Sequence, residues 1–530
     1  MSRVGRRLIW NRFQLLLALL YLGGILLVGL LAGRKKQDSN QFLNATGSLP
    51  LWVCIVACIA ANCGSMDVIV MMALGAQYGI LACHFYWIGA IPALLVLTFW
   101  LLPVYAKRRY PTVLDFIAQY YGTEARAIIA LGMSAMMLLL AGACLCAAAQ
   151  VLQTFLGWTF FEGVILTAVV VLFYTWIGGV RATVYVELLH FMIVLIAVAP
   201  LIFLVVHDFG GIGKLLASVP SARIHAWQNL PAFAPRAMMD RFGLIFGLGL
   251  VLSFGYWSTD FVLMQRALAV RRYQQVQYVP LAMAGAKLVF AMLIVVPGVV
   301  APLVLGLHGA ANWNATLPSM MMHYYSPAWM VIGTMGLAAS LISTFANNIS
   351  GFSAAWVQGI YRQWICSGRD DGHYIVVGRA TNAAAILLAI CGAYLAVEYK
   401  SLMEYIQMLF STFNAPLFAL VAVAALAPRK AAASGMGGFA LGLISAIAHQ
   451  VLVHAGVVHY GSMMSANFYS AIIGFTVAAA ATLVEGSRRG SAQFEMGQQL
   501  GRMPIKFTVP TVAISVGILC ATVAFNAIFW

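Results

Sequence analysis

Charged side chains are scarce in this chain, and several stand inside long apolar runs where ionisation is costly. Asp67 follows Ala60-Ala61-Asn62-Cys63-Gly64-Ser65-Met66, and Asp260 closes Ser253-Phe254-Gly255-Tyr256-Trp257-Ser258-Thr259. Glu187 lies in Val184-Tyr185-Val186-Glu187-Leu188, Lys287 in Gly285-Ala286-Lys287-Leu288-Val289, and Glu404 near the start of another apolar run. A charge inside a lipid-spanning segment marks an ion or substrate path, or it pairs with another charge. For Asp67 and Lys287 the plain alternative is an ion pair that only holds helices together. Arg266, Asp260 and Glu404 fall near expected helix ends, where reaching out to the membrane surface is the simpler expectation.

Two of these charges sit beside polar, turn-prone residues at the depth where a membrane helix should be most apolar. A broken helix there is tolerated only if its freed backbone groups line a protein cavity. Two breaks in corresponding positions of two halves point to the binding site of a secondary transporter. Unwound carbonyls around Ala60 to Cys63 suit a small hard cation such as Na⁺. Side-chain oxygens must come from elsewhere, and Ala338-Ala339-Ser340-Leu341-Ile342-Ser343-Thr344 offers hydroxyls at helical spacing. Those hydroxyls have an ordinary alternative, bonding to the preceding turn or small-residue packing. Tyr256-Trp257 could stack on a substrate ring, or serve as packing and interfacial anchors.

Enzyme chemistry finds no foothold. No Gly-rich phosphate loop or HExxH motif stands where it could work, and Gly351-Phe352-Ser353-Ala354-Ala355 lacks the second glycine of a nucleophile elbow. Nine cysteines form no CxxC pair and no plausible site with the ten histidines. Neither an organic cofactor nor a metal beyond sodium is expected.

The elements that hold these residues follow from composition. Of 530 residues, 63% are hydrophobic and only 8% charged, with a mean hydropathy of +0.91. A soluble domain carries about 25% charged residues, so the surplus apolar surface must face lipid. With about 20 apolar residues per span, the chain reads as an all-α polytopic membrane protein of about fourteen helices. The spans are 13–33, 49–79, 82–106, 128–153, 159–178, 183–206, 241–265, 277–305, 328–361, 379–397, 401–427, 435–457, 467–485 and 508–529. The basic start and the apolar run from Phe13 to Ala32 are read as a retained helix, since no small-x-small cleavage site precedes Arg34-Lys35-Lys36. Although the net charge is +15, its basic residues cluster between apolar runs, which orients helices rather than binding nucleic acid. Alternating the loops puts most of them on one side, with both termini outside.

Residues 1–48 thus form an extra helix and first cytoplasmic loop, and 207–240 an extracytoplasmic loop. Sets of five spans occupy 49–206 and 241–430, with additional helices over 431–530. An odd number of spans inverts the second set relative to the first, giving a five-plus-five inverted repeat whose opening helices are both discontinuous.

On these motifs the chain resembles the sodium:solute symporter family, in the branch of the bacterial sodium/galactose transporter. Ile59-Ala60-Ala61-Asn62 is similar to the branch's opening motif. Tyr174-Thr175-Trp176-Ile177-Gly178-Gly179-Val180, followed by Val186-Glu187, matches its Gly-Gly and downstream acid. Tyr256-Trp257 through Gln265-Arg266-Ala267-Leu268, then Lys287-Leu288 and Val296-Pro297-Gly298, is the most similar stretch. The likeness runs over about residues 30–430.

The resemblance implies a sodium site at the carbonyls of Ala60 and Cys63, the hydroxyls of Ser343 and Thr344, and the backbone of Ser340. It implies an ion-pathway role for Glu187, a substrate-contacting Lys287 and a ring-stacking gate at Tyr256. Where the sugar branch hydrogen-bonds its ligand, this chain has Asp67, Tyr86, Gly89 and Ser253, and Asn347-Asn348 follow Thr344. Trp257, Glu404 and Gln407 complete the expected substrate set. An acid facing the cavity favours a hydroxyl-rich or amine-bearing solute over a free carboxylate, unless Lys287 offsets it.

The resulting expectation is a sodium-coupled symporter in the bacterial inner membrane, a monomer or weak homo-oligomer, importing a small polar solute such as a sugar or polyol. A proton-coupled symporter for an amine-bearing solute, with Asp67 or Glu187 as carrier, and a non-transporting membrane sensor are the alternatives.

Overall fold

Lipid offers no partner for backbone N–H and C=O groups, so apolar runs of this length are driven into helices. The computed structural model describes residues 49–102, 105, 113–307, 312–426, 435–489 and 508–530, with Gly23, Gly24 and Leu27 besides. Apart from those three positions, the expected helix 13–33 lies outside the described residues. So do Arg34-Lys35-Lys36, Lys107-Arg108-Arg109 and Arg429-Lys430. Among the described residues there is no named strand, only an isolated parallel bridge between Leu49 and Val270.

The helices in chain order are α1 (Leu51–Asn62), α2 (Ser65–Tyr78), α3 (Phe85–Leu101), α4 (Val113–Leu156) and α5 (Phe160–Asp208). Then come α6 (Gly243–Thr259), α7 (Phe261–Leu268), α8 (Tyr278–Leu305), α9 (Pro327–Ile365) and α10 (Asp371–Ala396). Last are α11 (Leu402–Leu426), α12 (Gly435–His454), α13 (Met463–Arg489) and α14 (Val509–Ile528). Ten helices among the described residues are long and apolar enough to cross a membrane, and beside them stand four shorter apolar helices, Leu51–Asn62, Phe85–Leu101, Phe160–Phe173 and Gly243–Thr259. Spans 159–178 and 183–206 run on as the single helix α5, whose apolar parts are Phe160–Phe173 and Tyr185–Asp208.

The first interruption falls where expected. Between α1 and α2, Gly64 is extended (φ −77°, ψ −172°). A Cβ on Gly64 would stand 2.8 Å from the Ala60 carbonyl oxygen and 3.0 Å from Ser340 Oγ, so only glycine leaves room for this approach. The second interruption is narrower than the sequence suggests. Ser253 to Thr259 remain helical and only Asp260 leaves the helix, with ψ 118°. The hydroxyls of Ser258 and Thr259 explain this, donating back to Phe254 O (2.5 Å) and Gly255 O (2.6 Å).

Helix α9 packs along α4 and α5, and α2 crosses α8. At that crossing a methyl on Gly75 would stand 2.7 Å from the Val295 carbonyl, so the two backbones meet directly, as small residues permit in membranes. The 207–240 segment is pinned over the end of α2. Arg223 donates to the carbonyls of Gly75 (3.1 Å) and Ala76 (2.6 Å), a cation placed on a helix C-terminus. Trp227 Nε1 and the Ala226 amide donate to Asn526 Oδ1 and Phe529 O of the final segment.

Candidate functional site

A chamber of about 190 Å³ lies where the two interrupted helices meet. Its walls come from seven directions, with Leu140 and Cys144 of α4 on one side. The first interrupted helix contributes Asn62 and Asp67, α3 contributes Tyr86, and α6 contributes Ser253, Tyr256 and Trp257. Lys287 enters from α8, Thr344, Asn347 and Asn348 from α9, and Gln407 and Phe410 from α11. Several of these stand on wide π turns, Phe85–Ala90, Gly243–Ser253 and Phe410–Asn414, a helix distortion frequent at functional sites.

Asp67 and Lys287 form the ion pair considered above, with Oδ1 and Nζ 3.0 Å apart. Lys287 also donates to the Asn62 carbonyl at 2.5 Å, taking up a backbone acceptor that the end of α1 leaves free. Tyr86 OH donates to Asp67 Oδ2 at 2.8 Å. The ammonium stands 4.7 Å from the Tyr86 ring centroid and 5.8 Å from that of Trp257, within cation–π range. Across the chamber, Tyr256 OH donates to Asn62 Oδ1 at 2.7 Å and its ring packs on Phe410. One asparagine thus ties the first interruption to both α8 and α6.

On the other side of the first interruption, the Ser65 amide donates to Ser340 Oγ at 2.9 Å. Thr344 Oγ1 donates to Ser340 O at 2.9 Å, the local bond that any helical threonine can make. Ser343 differs, for its Oγ is buried with no hydrogen-bond partner. The position a Cβ on Gly64 would take lies within 4 Å of the Ala60 carbonyl oxygen, Ser340 Oγ and Thr344 Oγ1, a group of hard oxygens that fits an alkali cation. Ala60 and Cys63 are buried at the same interruption.

Glu187 pairs with Arg266 (Oε2–Nε 2.9 Å) and accepts from Asn347 Nδ2 at 2.6 Å. Because Asn347 also lines the chamber, the pair is one residue removed from it. Three expectations need correction here. Arg266 is only 2% exposed and does not reach the membrane surface, because it is held by Glu187. Asp260 is buried as well, where its carboxylate caps α7 by accepting from the Leu263 amide. Glu404, expected both near the surface and in the substrate set, is buried against α2. It accepts from Tyr78 OH (3.1 Å) and Gln77 Nε2 (3.2 Å), and it is absent from the chamber's lining. Its neighbour by one turn, Gln407, turns into the chamber instead.

Asn62 carries no role among the expected site residues, although it stands in the quoted motif. Its signal was a lone amide in the last turn before a break. Of the Tyr174–Val180 motif, only the backbone is described at Tyr174 and at 177–184.

Comparison with known proteins identifies the family. The profile of the sodium:solute symporter family matches residues 42–442. The sodium/glucose cotransporter of Vibrio parahaemolyticus is 22% identical over 415 residues, covering 73% of this chain and 76% of that protein. Sodium/glucose cotransporter 1 of Ovis aries is 22% identical over 483 residues, covering 83% and 72%. Among solved structures, a substrate-bound, outward-open Na⁺-coupled sialic acid symporter superposes with a TM-score of 0.76 at 14% identity, covering 91% of this chain and 99% of that one. That likeness shows the fold.

Proposed function

Because the chain belongs to the sodium:solute symporter family, we propose that it uses a sodium gradient to import a small polar organic solute, a sugar, polyol or related molecule, across the bacterial inner membrane. Sodium is held between the carbonyls of Ala60 and Cys63 and the oxygens of Ser340, Ser343 and Thr344. The ion bridges the first interruption to α9 and stabilises the outward-open arrangement. The solute then occupies the chamber beside Asp67, Tyr86, Ser253, Tyr256, Trp257, Lys287 and Gln407. The sets 49–206 and 241–430 move against each other and open it inward. Coupling requires sodium to bind the two arrangements with different affinity, since equal affinity shifts no population. Glu187 lies beside the ion's inward route, where its link to Asn347 makes it sensitive to what fills the chamber.

The observation that supports this reading is the meeting of the first interruption with α9, where the Ala60 carbonyl, Ser340 Oγ and Thr344 Oγ1 gather around Gly64 and the Oγ of the adjoining Ser343 is buried without a partner. The two acids weighed as proton carriers, Asp67 and Glu187, each already have a cationic partner, Lys287 and Arg266, which favours sodium over protons. Proteoliposome uptake under an imposed gradient tests the reading. A sugar or polyol accumulated with a sodium gradient at uniform pH supports it, and uptake driven by a pH gradient in sodium-free buffer overturns it.

A further inference from the structure

The chamber's charges are spent on one another. Lys287 is engaged by Asp67 Oδ1, by the Asn62 carbonyl and by the faces of Tyr86 and Trp257. Asp67 uses its second oxygen on Tyr86 OH. A solute entering here meets no free cation from this pair, and Asp260 adds another carboxylate to the wall. The groups with unmet capacity are neutral. The amide oxygens of Asn347 and Gln407 are buried without a hydrogen-bond partner, and both residues line the chamber. A buried acceptor left unpaired is costly and is satisfied by a donor. Hydroxyls supply donors; an ionised carboxylate supplies only acceptors.

We propose that the Asp67–Lys287 pair acts as a charge filter, so that the chamber takes neutral, hydroxyl-bearing solutes and rejects their carboxylate analogues, with Asp67 as the specificity-determining residue. The proposal rests on the symporter reading of this chamber. Removing the carboxylate leaves Lys287 uncompensated and turns the chamber toward anions. Removing the ammonium leaves Asp67 uncompensated and turns it toward amines.

The test uses full-length protein in lipid nanodiscs, with binding followed by thermal shift and tryptophan fluorescence. The probes are glucose, glucuronate and glucosamine, and the matching galactose series, each with and without sodium. Wild type is expected to bind the hexose at least tenfold more tightly than the uronate. Asp67→Asn should shift the uronate-to-hexose affinity ratio at least tenfold toward the uronate, and Lys287→Gln should shift the hexosamine-to-hexose ratio at least tenfold toward the amine. The two variants act in opposite directions, so either one decides the matter if the other does not fold. Unchanged ratios, or a wild type that prefers the uronate, overturn the filter. If no sugar binds while sodium still stabilises the protein, the filter falls and the sodium reading stands. If sodium too is without effect, the symporter reading of the chamber falls with it.

Discussion

The two interrupted helices end their breaks in opposite ways. At Cys63-Gly64 the residue before α2, Gly64, has no side chain to cap it, while α1 ends on two local bonds, the Cys63 amide to Ile59 O and Asn62 Nδ2 to Cys58 O. The freed groups are met by distant partners, Lys287 at the Asn62 carbonyl and Ser340 at the Ser65 amide. At Asp260 the break closes on itself. The Asp260 amide donates to Tyr256 O, its carboxylate accepts from the Leu263 amide, and Ser258 and Thr259 bond back to their own helix. An open break leaves backbone groups for a ligand, whereas a closed one mainly sets a direction and presents aromatic side chains. The difference supports the proposal that puts the ion at the first interruption and the solute's ring-facing wall at the second.

The sharpest way to break this comparison is to remove the two α9 hydroxyls proposed to hold the ion. Ser343→Ala with Thr344→Ala should abolish sodium-dependent uptake and the thermal stabilisation by sodium, while the purified protein remains folded. Neither side chain hydrogen-bonds to another helix, since Thr344 Oγ1 donates within its own helix and Ser343 Oγ has no partner. Stability without sodium should therefore change little. A double variant that keeps its sodium response would place the ion elsewhere.

Next in size is the anchor below the closed break. Arg266, in the last turn of α7, reaches Glu187 on α5, and both side chains are almost fully buried. Replacing one member of a buried pair leaves an uncompensated charge, typically at a cost of about 3–5 kcal/mol. Arg266→Ala should thus unfold at clearly lower temperature in detergent, and Arg266→Ala with Glu187→Gln should recover part of the loss. If the single variant is as stable as wild type, the second interruption is not held this way.

Gly64→Ala sharpens the comparison from the other side. The added methyl meets the Ala60 carbonyl and Ser340 Oγ, and overpacking of this kind costs about 1–3 kcal/mol. The strain falls on a proposed sodium ligand, so sodium affinity should drop by at least tenfold alongside the stability loss. Isothermal titration with sodium would separate the two effects, and intact affinity would argue that the carbonyls there are not ligands.

How much of this was legible beforehand depended on whether a feature is local. Apolar length and the polar run at Asn62-Cys63-Gly64-Ser65 are local, and both the helices and the first break follow from them. Asp67 and Lys287 were legible as a pair because unpaired charges at that depth are so costly. Glu404 and Gln407 show the limit. They stand one turn apart on α11, yet only Gln407 faces the chamber, because Gln77 and Tyr78 of α2 take up the glutamate. Which face of a helix meets another is a property of packing between segments far apart in sequence. Arg266 failed for the same reason, its partner being 79 residues away. Where the second interruption lies was obscured differently, by Ser258 and Thr259, whose turn-prone character in sequence becomes helix-preserving once their hydroxyls bond backward.

The smallest expected effect tests whether the closed break is closed by its own cap. Asp260 lines the chamber, so a reading in which it binds the ion or the solute competes with its role at the start of α7. Losing an aspartate N-cap costs about 1 kcal/mol, and Asp260→Asn keeps a side-chain oxygen that still accepts from the Leu263 amide, whereas Asp260→Ala does not. If capping is its work, alanine should lower the unfolding temperature modestly, asparagine should restore most of it, and the sodium concentration for half-maximal uptake should be the same in both. An ion ligand would behave otherwise, because the neutral amide would weaken sodium binding even though it still caps the helix. Equal stability but unequal sodium dependence between the asparagine variant and wild type would therefore move the second interruption into the ion site and erase the asymmetry between the two breaks.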